Sequence, residues 1–278
     1  MPNTPILYCL LLSAWNRIWQ RMLRHIAVLA LLLSPAAVRA EPLASCTPLF
    51  AGGQAPALLN TRLAERTTPL CYRAYTVLAS GVTRGALWSA EHPTAAGLAA
   101  ARQTRRVNLF HPDDGLPPAD RAELADYARS GFDRGHMTPS GDMPDPTAQQ
   151  QSFSLANIVP QTAKLNRGVW ERIESTVRTM VKRRGEAYVV TGPAFQGASL
   201  QQIGGRVLVP SSTWKAIYFP STGDAGAWSC TNTATPACSV LSVADLAAQT
   251  GVDPFPGLPQ SIKATLGRLP VPRPSRNR

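Results

Sequence analysis

"SGFDRGHMTPSGDM", residues 130–143, sets an aspartate, an arginine and a histidine among glycines and a proline. The chain has only four histidines, His25, His92, His111 and His136, and His136 stands directly after Asp133-Arg134-Gly135. The stretch is too broken for a long helix or a buried strand, so it reads as a loop. It is either solvated surface that happens to hold a histidine or the lip of an active site. The flanking sequence decides between the two.

Just upstream, "PADRAELADYARSG" (118–131) opens with Pro118 and Asp120 and closes at Gly131, the start and stop signals of a helix. Downstream, "SFSLANIVPQTAKLN" is a mixed connector into "LNRGVWERIESTVRTMVKRRG" (165–185). Val169, Trp170, Ile173, Val177, Met180 and Val181 recur there at helical spacing, and Lys182-Arg183-Arg184 before Gly185 suit a helix C-terminus. Further out, "LCYRAYTVLASG" (70–81) reads as a strand, as do "EAYVVTG", "RVLVPSS" and "TWKAIYF" after the long helix. A last helix is expected over Val243 to Thr250. Strands flank a group of helices, which is an α+β order rather than a βαβ alternation.

The chain has 278 residues, 44% hydrophobic and 16% charged, a composition that excludes a disordered chain and allows one large or two small domains. "RMLRHIAVLALLLSPAAVRA" has the basic head, short apolar run and small-residue end of a secretory signal over residues 1–40, with residues 1–21 read as an over-long start. Its apolar run is too short to span a bilayer. Removing it takes away four arginines and no acid, so the net charge falls from +11 to +7. A basic exported protein is drawn to polyanions, unless the charge serves only solubility. Four cysteines then remain, and their grouping favours Cys46–Cys71 and Cys230–Cys238. "LASC" (43–46) is also similar to a lipidation site, but Arg39, Glu41 and Pro42 interrupt the apolar lead such a site needs. Without a CxxC pair, a thiolate zinc site is not expected. One domain over 41–265 and a fraying Pro/Arg-rich tail over 266–278 complete the organisation.

On the long helix, Glu174 and Arg178 are i,i+4 neighbours, and Asn166 lies within about a quarter turn of Glu174. Alone, the pair is a surface ion pair worth under about 1 kcal/mol, and Asn166 is a cap. Together, Asp133-Arg134-Gly135-His136, Asn157 and Asn166-x3-Trp170-x3-Glu174-x3-Arg178 resemble the DNA/RNA non-specific endonucleases, the ββα-metal nucleases that include mitochondrial endonuclease G. "SGVTRGALWSAEHP", "YVVTGPAF" and "VPSSTWKAIY" extend the resemblance over most of residues 70–220.

The resemblance implies a central, mostly antiparallel sheet flanked by helices, and a metal-dependent nuclease acting on DNA and RNA to leave 5′-phosphate ends. It implies His136 as general base on a water, and Asn166 as the direct protein ligand of Mg²⁺, with Mn²⁺ an alternative. Glu174 would act from the ion's hydration shell. Arg134, Arg178 and Arg84 would contact phosphate, with Arg84 at the transition state and Arg73 its substitute. Asn157 would fix the scissile phosphate or the neighbouring loop, and Asp133 would orient the loop. His92 and His111 read as loop residues, and Trp170 as core. Contacts of this kind carry no base information. Periplasmic or extracellular export, no stable membrane partner and a possible homodimer accompany this reading. A non-catalytic nucleic-acid-binding module on the same scaffold is the alternative, and a toxin-like nuclease a third.

Overall fold

In the computed structural model, residues 43–272 are described; the expected signal segment and the last residues of the tail lie outside them. Thirteen strands follow along the described residues: β1 (Ala57–Leu58), β2 (Thr67–Cys71), β3 (Tyr75–Ser80), β4 (Gly85–Glu91), β5 (Asp133–His136) and β6 (Ile158–Gln161) precede the long helix. After it come β7 (Tyr188–Ala194), β8 (Gln202–Ile203), β9 (Val207–Leu208), β10 (Ser212–Phe219), β11 (Asp224–Thr231), β12 (Cys238–Leu241) and β13 (Val252–Asp253). Seven of them form one antiparallel sheet in the order β12-β11-β10-β7-β4-β3-β2. The expected α+β class is what the chain adopts.

The sheet is covered on both faces, so its central strands are buried along most of their length and lose the apolar-polar alternation of a one-sided sheet, whereas the edge strands β2 and β12 are half-exposed. On one face the long helix packs Ile173, Val177 and Val181 against Val189, Ile217, Phe219 and Trp228. On the other, Phe50, Val243, Leu246 and Phe255 pack against Trp88, Ala90, Val190, Trp214 and Ala216. A separate antiparallel pair, β5 with β6, rests on Tyr75, Val77 and Ala86 through Met137 and Val159. β6 leads into the long helix, which makes the ββα unit.

Several elements differ from their sequence reading. Residues 70–81 are two strands, because Tyr72–Ala74 reverse the chain and Cys71 then pairs with Thr76. That turn has neither glycine nor proline to announce it. The helix expected over 118–131 is confined to Leu124–Tyr127. Arg66 binds Asp120 and Arg121 binds Asp114 and Glu123, which holds the preceding residues in turns, and a Glu123/Asp126 capping box starts the helix late. Asp133–His136 is not a loop but β5. Gly135 permits this, because a Cβ there would run into the Gln161 side chain across the pair. Regular helix begins only at Glu171; residues 165–170 wind as a wider π-helix, kinked at Gly168. It ends as expected at Gly185, whose φ of 95° suits glycine.

Both disulfides join the cysteines that their spacing paired, so Cys46 is in a crosslink with Cys71. The first part of the expected tail is docked, not frayed. Leu269 packs on the long-helix layer and the Trp228 indole donates to the Pro270 carbonyl at 2.9 Å.

Candidate active site

His136 ends β5, opposite Ile158, and its ring opens onto a cleft of about 490 Å³. Arg134, Asn166, Glu174 and Arg178 line the same cleft, joined by Arg102 and Arg106. The imidazole sits against Phe110 and Phe153, at centroid distances of 5.4 and 4.9 Å. Each phenyl ring carries a guanidinium: Arg134 lies 4.4 Å from the Phe110 centroid and Arg106 5.3 Å from that of Phe153. Burial, and then the field of Arg106, push the His136 pKa down to about 3. The ring is therefore neutral at physiological pH, with Nε2 enclosed and without a hydrogen-bond partner among the described residues.

Asn166 lies in the π-wound entry to the long helix. Its amide nitrogen donates to Asp133 Oδ2 at 3.0 Å, and its amide oxygen has no hydrogen-bond partner among the described residues. Arg167 grips the same carboxylate at 2.7 and 2.5 Å. Partial burial opposes ionisation of Asp133, but the hydrogen bonds from Arg167 and Asn166 prevail and hold it below the usual aspartate value. Asp133 thus holds the Asn166 amide and the Arg167 guanidinium. Asn166, Glu171 and Glu174 line the same cleft, and their amide and carboxylate oxygens are hard donors of the kind a divalent cation takes.

Arg178 donates from Nε to Asp142, whose side chain is 2% exposed, and from Nη2 to Glu174 at 3.5 Å. A Cβ at Gly141 would stand 3.1 Å from that guanidinium, so glycine allows the loop to approach it. Burial pushes the Glu174 pKa up to about 7, against the pull of Lys215 and Arg178 and with the push of Asp142 and Glu171. Arg178 is thus neutralised by carboxylates. Arg102, Arg106 and Arg134 form no salt bridge among the described residues. Of the five arginines lining the cleft, these three have no carboxylate partner among the described residues.

Two expected site residues stand outside the cleft lining. Asn157 is fully buried; its oxygen accepts from Thr138 N at 2.9 Å and its nitrogen donates to the Thr138 and Ser152 carbonyls at 2.9 and 3.0 Å. It fixes the loop leaving β5. Arg84 occupies a turn at φ 55°, and its guanidinium donates to the Ala119 and Arg206 carbonyls at 3.2 and 2.8 Å. Arg73, its substitute, is paired with Asp145 at 2.7 Å. His92 bonds Glu186 and His111 the Pro112 carbonyl, and Trp170 is buried. Sequence reasoning missed Arg102 and Arg106, although "RQTRR" (102–106) is a visible basic run. It also passed over Glu91 and Lys215, buried charges inside strands.

Two antiparallel strands, the first ending on a histidine, followed by a helix that brings an amide and a carboxylate to the same cleft, define the ββα-metal nuclease class. The chain belongs to the DNA/RNA non-specific endonuclease family, whose profile matches residues 57–261. It is 37% identical over 149 residues to nuclease C1 of Cunninghamella echinulata var. echinulata, covering 49% of this chain and 59% of that protein. It is 34% identical over 152 residues to mitochondrial endonuclease G of Bos taurus (51% and 50%), and 38% over 114 residues to a nuclease of Nostoc sp. (40% and 41%). The chain thus spans about half the length of these relatives. The crystal structure of the EndoG/EndoGI complex superposes with a TM-score of 0.62 at 23% identity, covering 70% of this chain and 88% of that one. The fold is shared.

Proposed function

We propose that the chain is an exported, metal-dependent nuclease that hydrolyses phosphodiester bonds of DNA and RNA without sugar specificity and leaves 5′-phosphate ends. The observation that carries the reading is the neutral His136 opening onto the cleft shared by Asn166 and Glu174. A neutral imidazole is able to take the proton of an attacking water. With Nε2 enclosed, Nδ1 is the nitrogen left to accept it. Attack at phosphorus breaks the bond to the 3′-oxygen, which takes a proton from solvent water and leaves as a 3′-hydroxyl, so the phosphate stays on the 5′-oxygen of the downstream nucleotide. Asn166 would hold a divalent cation through its amide oxygen, with Glu174 beside it; the cation would supply charge neutralisation at the phosphate. Arg134, Arg102 and Arg106 would bind phosphate oxygens. Arg178, already held by Asp142 and Glu174, braces Glu174. Asn157 and Arg84 act as anchors in this reading, supported by their bonds to main-chain carbonyls.

The reading includes a leader over residues 1–40 and one nuclease domain over 41–265. The two disulfides support an oxidising destination, periplasmic or extracellular. The test incubates supercoiled plasmid and total RNA with the protein, in Mg²⁺ or in chelator. Both substrates are expected to be degraded only with the metal, and His136→Ala to be slower by on the order of 10²–10⁴ with binding retained. Binding without digestion by the wild type would instead favour the non-catalytic module. Equal rates for wild type and His136→Ala would remove His136 from the mechanism.

A further inference from the structure

Across the central sheet runs a line of polar side chains at positions where a covered sheet holds apolar ones. Ser89 in β4, Thr191 in β7 and Lys215 in β10 lie opposite one another in register, each no more than 1% exposed. Strand alternation puts them on the face of Val189 and Ile217, beneath the long helix. Their polar atoms meet one another and the segment that follows His136. Thr138 Oγ1 donates to Ser89 Oγ at 2.9 Å, and Lys215 Nζ donates to Thr191 Oγ1 at 2.5 Å and to the Met137 carbonyl at 3.3 Å. The same ammonium lies 5.6 Å from the centroid of Trp170, which enters the helix that carries Glu174. One buried cation therefore touches both arms of the ββα unit.

Stability does not account for it. A buried ammonium is costly to desolvate, and apolar residues of similar volume often replace buried ion pairs without loss. Its countercharges are also sunk in the protein. Glu91, two residues beyond Ser89 on β4, is 2% exposed and keeps one carboxylate oxygen without a partner. Burial, with Asp142 adding to it, holds Glu91 well above the usual carboxylate range. Burial pulls Lys215 below the usual lysine value, against the attraction of Glu91, Glu174 and Asp142.

We propose that Lys215 is a positioning residue for the hydrolysis: from within the sheet its ammonium holds the Met137 carbonyl and, with Thr191 and Ser89, fixes where His136 stands relative to Asn166 and Glu174. The inference rests on the nuclease reading. Lys215 contacts no substrate.

The test uses Lys215→Met/Glu91→Gln, which removes both buried charges together, and Ser89→Ala, which removes only the acceptor of Thr138. The double variant is expected to melt close to wild type yet to lose on the order of 10–100-fold in kcat, with KM within about twofold. The His136 ring resonances should shift with it. Ser89→Ala should lower kcat several-fold with KM unchanged. Wild-type kcat and unshifted His136 resonances in the double variant would overturn the proposal. The same result in Ser89→Ala would overturn it even if the double variant did not fold. If the wild type cut neither DNA nor RNA, the nuclease reading would fail, and the His136 resonances would still report whether Lys215 positions the ring.

Discussion

His136 and Glu174 are ordinary titrating side chains whose surroundings move them in opposite senses. His136 has its pKa pushed from 6.5 down to about 3, chiefly by burial. In metal-free protein its contribution to stability is complete above pH 6.5. It declines as pH falls toward 3, because the unfolded chain gains a proton that the folded one refuses. Glu174 has its pKa raised from 4.5 to about 7, again chiefly by burial. Its contribution is complete below pH 4.5 and is lost as pH rises through 7, because the unfolded carboxyl ionises first. We predict that His136→Asn flattens the fall of Tm with acid between pH 6.5 and 4, and that Glu174→Gln flattens the fall between pH 4.5 and 7. A variant that kept the wild-type slope in its own window would count against the burial of that group.

At the scale of elements, the helix Ala95–Ala101 and the segment behind it deliver Arg102 and Arg106 to the cleft. Each phosphate contact removed should reduce the slope of log affinity against log salt by about 0.9 on duplex and 0.7 on single strands. Arg106→Ala is expected to show that reduction equally on all sequences, whereas Arg62→Ala, at an exposed position outside the cleft lining, should leave the slope unchanged. An unaltered slope for Arg106→Ala, measured by binding titration at several salt concentrations, would exclude a phosphate contact. Local chemistry also explains which elements were legible. The long helix and Val243–Thr250 announce themselves by period and caps, the latter with Ser242 accepting from Asp245 N at 3.0 Å. β5 did not, because its glycine is required by Gln161, a residue 26 positions away in sequence. His136, Asn166 and Glu174 share a cleft as the motif spacing implies, whereas Arg84 answers to carbonyls at 119 and 206 that no local pattern reveals. Lys215 was hidden for the same reason: its partners come from strands that only the tertiary fold places beside it.

At the scale of the whole molecule, two crosslinks join different kinds of neighbour: Cys46–Cys71 ties the N-terminal segment to the end of β2, and Cys230–Cys238 links the paired strands β11 and β12 of the one sheet. Cys46–Cys71 closes a separation of 25 residues and Cys230–Cys238 one of 8, so the first restricts the unfolded chain more. Loop-closure arguments give about 3.5 and 2.5 kcal/mol respectively. Cys46→Ser/Cys71→Ser should therefore lower Tm more than Cys230→Ser/Cys238→Ser, and calorimetry with and without reductant checks both. The reverse order would show that native contacts, not loop length, set their worth.

The pairing of Asp133–His136 with Ile158–Gln161 has a consequence for how such a molecule fails. Side chains alternate between faces along a strand, so slipping this pair by one residue would turn the imidazole toward the core and Met137 outward. No half-way placement exists between those two states. Heat, ageing or mild denaturant should then reduce the number of competent molecules while leaving the turnover of each survivor unchanged.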